Sequence, residues 1–193
     1  MQAAPNILVF DTSAAHCAAA LLCGDDITDL RIEEMARGQG ERLMDLLGAV
    51  LADAVLDWSD LSALAVGTGP GNFTGIRISV SAARGLALGL GIPAIGVTTL
   101  EALARDRPRP VEVVLPAPRD RVYRQRFEAT RPQAVRLEPG AADPPDWPAT
   151  LAAMARIAAC RLARGVAIAR PAPCYARPAD AAPSRDPGPV ILS

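Results

Sequence analysis

The chain has 193 residues, half of them apolar, with 20 basic and 21 acidic side chains and a net charge of −1. This length and apolar fraction are enough for one domain or two small lobes with a buried core. Every basic residue is an arginine, which excludes a P-loop lysine and a Schiff-base lysine. The absence of a basic, cleavable leader and of a long uncharged apolar run predicts a cytoplasmic protein without a membrane span.

The first half of the chain predicts a regular series of strands and helices. Three short segments that begin at Asn6, Cys17 and Asp26 predict an antiparallel meander. Leucines and valines three and four residues apart over 40–56 predict an amphipathic helix. A strand over 63–69, a helix over 75–90 and a strand over 92–99 predict a crossover and a parallel part of the sheet. This order is typical of a ribonuclease-H-like α/β lobe.

Residues 105–193 predict a second unit after the proline-punctuated linker 105–110. Segments 111–117, 121–129 and 134–138 predict strands, and an alanine-rich segment predicts a helix that ends at Gly165. The proline-rich residues after Arg170 predict a segment that lies along the surface. We therefore expect two lobes, 1–104 and 105–193.

Charge differs between these two units. Residues 1–104 carry 5 arginines against 12 acidic residues, whereas residues 105–193 carry 15 arginines against 9 acidic residues. Such a split is compatible with a basic surface near RNA and equally with ordinary solvated arginines. The sequence leaves both interpretations open.

The segment GTGPGNFTG, residues 67–75, is a glycine-rich loop before a helix, the arrangement in which many proteins bind phosphate. It lacks the P-loop lysine and the third glycine of the dinucleotide pattern. One interpretation is a weak nucleotide site that includes Asp11, Thr12 and Ser13 at the end of the first strand. In the other interpretation, Asp11 caps its own turn.

The helix after this loop carries two stripes of side chains. Thr74 is the expected N-cap and Gly91 the expected C-terminal stop. An apolar stripe lies beside a stripe of very small residues, which consists of Gly75, Ser79, Ala82, Gly85 and Gly89. An interior helical glycine costs about 1 kcal/mol relative to alanine, so these glycines predict a closely packed neighbour. That neighbour is either the chain's own sheet or a second subunit.

Metal and acid–base chemistry have few candidates in this sequence. His16 is the single histidine, so the chain cannot form a zinc-binding histidine pair. The four cysteines show no C-x-x-C spacing. We expect no catalytic residue and no metal site, and we expect His16 to lie at the surface of the first hairpin.

Several segments resemble the TsaB (YeaZ) family. They are ILVFDTSAAHCAAALL, ERLMDLLGAVL, the long segment from DLSALAVGTGPGNFTGIRISV to TTLEALA, and PAPCYARPADA. The resemblance implies an ASKHA-type fold of two related lobes, the second of them reduced. It also implies a non-catalytic subunit that binds and supports a TsaD-like subunit, which makes threonylcarbamoyladenosine in tRNAs that read ANN codons. ATP and metal are then expected on that partner, and no cofactor on this chain.

The resemblance also implies a set of partners and a contact surface. A TsaE-like ATPase joins the TsaD-like subunit, a homodimer through the same helices is an alternative, and contact with tRNA is indirect or weak. The expected contact residues are Gly75, Ile76, Ser79, Ala82, Ala83, Gly85, Leu86 and Gly89, with Leu43 and Leu47 on the preceding helix. The alternative function is a small ASKHA-type ATPase or a glycoprotease-like enzyme that acts alone.

Overall fold

The structure, a computed structural model, describes residues 4–165 and 167–176. Its larger sheet has five strands in the order β3-β2-β1-β4-β5. Strands β1, β2 and β3 form an antiparallel meander, and β4 and β5 run parallel to β1. In chain order these strands are Asn6–Asp11, His16–Cys23, Asp26–Glu34, Ala63–Gly67 and Ala94–Val97. This order confirms the predicted meander and crossover.

Two helices cover one face of the larger sheet. They are α1 (Gln39–Asp53) and α2 (Phe73–Leu90), and a 3₁₀ turn, Trp58–Asp60, lies between α1 and β4. Alternate residues of β1 point to opposite faces, so Leu8 and Phe10 pack beneath these helices. The buried side of α1 consists of Gln39, Leu43, Leu46, Leu47, Val50 and Leu51. The helical period in the sequence therefore predicted the correct face of α1.

A helix from the second half of the chain covers the other face. This helix, α4 (Trp147–Ala163), packs through Leu151 and Met154 against the side of β1 that bears Ile7 and Val9. α4 therefore completes the core of the first sheet, although it lies beyond the division expected at residue 104.

The smaller sheet has three antiparallel strands in the order β6-β7-β8. They are Val111–Ala117, Arg121–Phe127 and Arg136–Pro139. The short helix α3 (Thr99–Ala104) packs on one face of this sheet, where Leu100 meets Val113 and Leu115. The predicted strands of the second half thus form a sheet of their own.

The ends of α2 differ in part from the prediction. Asn72, not Thr74, is the N-cap, because its side-chain oxygen accepts a hydrogen bond from the Gly75 amide at 3.0 Å. Gly91 ends the helix in the left-handed conformation, as predicted.

The segment after α4 returns to the larger sheet. The Cys174 amide donates to the Thr68 carbonyl oxygen at 2.8 Å, so residues 171–176 lie over the end of β4. The rest of the proline-rich tail, 177–193, lies outside the described residues. None of the helices in the described part of the chain combines the length and apolar character needed to cross a membrane.

Candidate functional site

A buried polar network closes the loop between β1 and β2. The Ser13 amide and hydroxyl donate to Asp11 Oδ1 at 2.8 and 2.9 Å, and His16 Nε2 lies 2.8 Å from the same oxygen. The His16 ring also meets the edge of the Trp147 ring, with centroids 4.3 Å apart. Asp11 therefore caps its own turn, as one interpretation of the sequence held. The expected surface position of His16 is wrong, because Asp11 and Trp147 hold this side chain in the interior.

The glycines of the 67–75 loop face this network at very short range. A Cβ built on Gly67 would lie 1.7 Å from Asp11 Oδ2. Likewise, a Cβ on Gly71 would lie 2.2 Å from the Ser13 carbonyl oxygen, and one on Gly75 would lie 1.8 Å from the Thr12 carbonyl oxygen. These glycines thus permit the close approach of the chain's own hairpin.

Direct hydrogen bonds join the loop and the hairpin. The Thr12 hydroxyl donates to the Gly75 carbonyl oxygen at 2.6 Å, and the Asn72 amide donates to the Ser13 carbonyl oxygen at 2.7 Å. The Asn72 amide, a donor at the start of α2, is therefore engaged within the chain.

These residues do not fit a nucleotide phosphate. Asp11, Thr12 and Ser13 are buried, and two backbone carbonyl oxygens fill the space in front of the glycines, where an anion would need hydrogen-bond donors. These contacts favour the turn-capping interpretation of Asp11, and the weak nucleotide site at Asp11, Thr12 and Ser13 stays a prediction. Within 4–165 and 167–176, no three histidine, cysteine or acidic side chains come together as metal ligands.

The structure separates the ten residues predicted for the partner interface into two groups. Six of them are buried by the chain itself, and their side chains cannot reach a partner: Gly75, Ile76, Ser79, Ala83, Leu43 and Leu47. The physical reason is that α2 needs its N-terminal half to cover the sheet; Ser79 Oγ, for example, donates to the Gly67 carbonyl oxygen at 3.2 Å. Ala82 and Leu86 are half-buried, and Gly85 and Gly89 are exposed.

The exposed part of α2 forms a surface with few projecting side chains. No described atom outside the helix's own backbone lies within 4 Å of a Cβ built on Gly85 or Gly89. Between these two glycines, Leu88 is 82% exposed. It borders an open groove of about 470 Å³ whose other walls include Ile92 and Ile168. We call the surface formed by Gly85, Leu88 and Gly89 the open face of α2.

The neighbouring helix α1 also combines a partly exposed apolar side chain with a glycine that has open space around it. Met44 is 44% exposed, and a Cβ built on Gly48 would meet no described atom within 4 Å. The sequence did not single out Leu88, Met44 or Gly48, since each lies off the apolar stripe of its helix. An apolar residue outside the core-facing stripe is the signal that could have identified Leu88 and Met44.

Comparison with known proteins agrees with the observed fold. A family model described as TsaD: tRNA N6-adenosine threonylcarbamoyltransferase matches residues 33–169, which is more than half of the chain. The chain belongs to the family that this model describes.

Curated TsaB proteins match about half of the chain. The tRNA threonylcarbamoyladenosine biosynthesis protein TsaB of Escherichia coli is 38% identical over 100 residues, which cover 52% of this chain and 43% of that protein. The protein of the same name from Bacillus subtilis is 36% identical over 99 residues, covering 51% and 43%. The matched stretch thus spans less than half the length of these TsaB relatives.

Two solved structures from Pseudomonas aeruginosa share the fold of this chain. One, an uncharacterized protein with similarity to peptidase YEAZ, has a TM-score of 0.71 and 24% identity and covers 90% of this chain and 100% of that chain. The other, YeaZ, has a TM-score of 0.59 and 27% identity, with 74% and 72% covered. The fold is therefore the mixed α/β, ASKHA-like fold that the sequence predicted.

Replacing Asp11 by alanine tests the structural role of the buried network. The change leaves the Ser13 amide and His16 Nε2 buried without their acceptor, so we expect a loss of about 2–3 kcal/mol in the free energy of unfolding. Urea denaturation measures this loss. Glu41→Ala, at an exposed acidic position on α1, is the matched control and should change stability by less than about 0.5 kcal/mol. Equal effects of the two substitutions would contradict a structural role of Asp11.

Proposed function

We propose that this chain is a non-catalytic partner subunit in the formation of threonylcarbamoyladenosine in tRNA. It binds and supports a TsaD-like catalytic subunit in the cytoplasm, with a TsaE-like ATPase as a further component. The names of its TsaB relatives support the pathway. The observation that carries the partner role is the open face of α2, where two helical glycines face solvent.

The argument for a partner rests on the energetic cost of these glycines. Each interior glycine weakens a helix by about 1 kcal/mol relative to alanine. Close packing within the chain explains the glycine at position 75, because the Thr12 carbonyl oxygen lies against it. No contact of the described chain explains the glycines at positions 85 and 89. Close approach by a helix of another protein would explain these two glycines. The exposed Leu88 and Met44 would add apolar contact area to such an interface.

The contacts between the 67–75 glycine loop and the β1–β2 hairpin support a non-catalytic role. A nucleotide-dependent reaction on this chain would need Asp11 or the glycine loop to be accessible, yet both are engaged in internal contacts. The single histidine, His16, is committed to Asp11 and Trp147. On this proposal the ATP and the metal belong to the TsaD-like subunit, and this chain contributes binding surface. A homodimer through the open face would compete with that partner.

Reconstitution of tRNA modification tests the proposal. Purified TsaD-like and TsaE-like proteins are supplied with tRNA, threonine, bicarbonate and ATP, with the synthase that makes the threonylcarbamoyl donor, and with or without this chain. We expect modified tRNA to accumulate only when the chain is present, and the isolated chain to hydrolyse no ATP above a blank. Equal modification without the chain, or ATP hydrolysis by the chain alone, would reject the partner role and favour the ATPase alternative.

A further inference from the structure

A second open cavity contains residues from both halves of the chain. It has a volume of about 690 Å³ and lies between the end of β7, the start of α3 and the C-terminal end of α4. Four arginines contribute to its walls, and only two acidic side chains do. The arginines are Arg109, Arg131, Arg161 and Arg164, and the acidic residues are Glu101 and Glu128.

Both acidic side chains are already neutralised. Glu101 forms an ion pair with Arg161, whose guanidinium also donates to the Gly96 carbonyl oxygen at 2.7 Å. Glu128 accepts from Arg126 Nε at 2.6 Å. The charge of these two carboxylates is therefore not available to balance the remaining arginines of the cavity.

Three positive charges remain uncompensated. Among the described residues, no carboxylate lies within ion-pair distance of Arg109, Arg131 or Arg164. Arg109 is held in place, because it donates to the Ala104 carbonyl oxygen at 2.8 Å and its guanidinium lies 5.0 Å from the centre of the Phe127 ring. Fixed, planar guanidinium groups without a carboxylate partner match the geometry of phosphate oxygens.

A buried acceptor without a donor forms part of the same wall. Gln125 is only 9% exposed, and its Nε2 donates to the Gln133 carbonyl oxygen at 2.9 Å. Its Oε1 is buried and finds no hydrogen-bond donor in the described part of the chain. Buried polar atoms in proteins almost always have a partner, so a small side-chain shift that brings this oxygen to the cavity would let a ligand supply the missing donor. A ribonucleotide carries both a phosphate group for the arginines and hydroxyl donors.

We propose that this arginine cavity binds the phosphate backbone of RNA. Arg131 and Arg164 contact the phosphates, and Arg109 supports them from its fixed position. Residues 105–193 carry 15 arginines against 9 acidic residues, a composition that favours a polyanionic ligand. The choice of RNA over free phosphate rests on the proposed function in tRNA modification, and the contact would supplement the tRNA binding of the catalytic partner.

The test is binding of a labelled tRNA transcript to the isolated full chain by fluorescence anisotropy over a range of salt concentrations. Each lost phosphate contact lowers the slope of log affinity against log salt by about 0.7–0.9. We expect Arg131→Gln with Arg164→Gln to lower the affinity about tenfold and the slope by about 1.5. The matched control is Arg37→Gln with Arg119→Gln, which removes the same charge from exposed positions outside the cavity. It should change the affinity by less than about twofold.

Three results would overturn the proposal. They are no binding of tRNA by the unmodified chain, equal losses in the two double variants, and binding of inorganic phosphate or AMP at the cavity without binding of tRNA. Thermal melting of both double variants shows whether the fold is retained. The assay contains no TsaD-like protein, so its failure would leave the partner role standing. Conversely, if the chain bound tRNA but did not bind the partner, the partner role would fail and the RNA-binding proposal would stand.

Discussion

Gly75→Ala is expected to destabilise the chain by about 3 kcal/mol or more, whereas Gly89→Ala is expected to stabilise it by about 0.5–1 kcal/mol. At Gly75 the new Cβ would lie 1.8 Å from the Thr12 carbonyl oxygen, and both backbones would have to separate. At Gly89 the new methyl group would meet open space, and the helix would gain the higher propensity of alanine. Urea unfolding of the two variants measures both values.

The two substitutions are matched controls for each other, because the same chemical change is made twice in one helix. Far-ultraviolet circular dichroism before denaturation establishes that each variant is folded. Changes of the same sign and size at the two positions would contradict the packing of the glycine loop against the β1–β2 hairpin.

Gly85→Leu is expected to block association with a TsaD-like subunit while leaving the fold intact. Leucine has a higher helix propensity than glycine, and a Cβ at this position has open space around it, so the melting temperature should stay the same or rise. A partner helix that approaches closely would instead collide with the new side chain. We expect affinity to fall about tenfold to a hundredfold, measured by co-purification and titration.

Ala163→Leu is the matched control for this interface prediction. Ala163 is exposed on α4, which covers the opposite face of the sheet, so the same leucine is added away from the proposed contact. Ser79→Leu is unsuitable for the test because Ser79 is buried and bonded to the Gly67 carbonyl oxygen. If Gly85→Leu and Ala163→Leu bound the partner equally well, the open face of α2 would not be the contact.

Much of the fold was predictable because local patterns determine it. The continuous apolar runs of β1 and β2 reflect burial on both faces of the sheet, and the helical period of α1 reflects one buried face. Short connections leave few ways to join these elements. The position of α4 was not predictable in this way. Its apolar side is evident from the sequence, but periodicity does not tell which of two sheets will cover it. The boundary expected at residue 104 did not anticipate this contact between α4 and the first sheet.

The site was predictable only in part because side chains from distant segments form it. Composition identified the glycine stripe on α2 but could not separate Gly75, which packs on Thr12, from Gly85, which meets nothing. His16 was expected at the surface, since histidines in hairpins often are. A carboxylate at the end of one strand and a histidine at the start of the next were the available signal for the bond between Asp11 and His16. The arginine cavity joins residues from β7, α4 and the intervening loop, so only its excess charge was visible beforehand.

The mass of the species formed when the chain is mixed with a TsaD-like subunit tests the central claim most directly. Sedimentation equilibrium at micromolar concentration gives this mass without labels. We expect a complex that contains both proteins for the unmodified chain and a dissociation constant about tenfold to hundredfold higher for Gly85→Leu. Two independently sedimenting proteins in the unmodified mixture, at concentrations where each is folded, would contradict it.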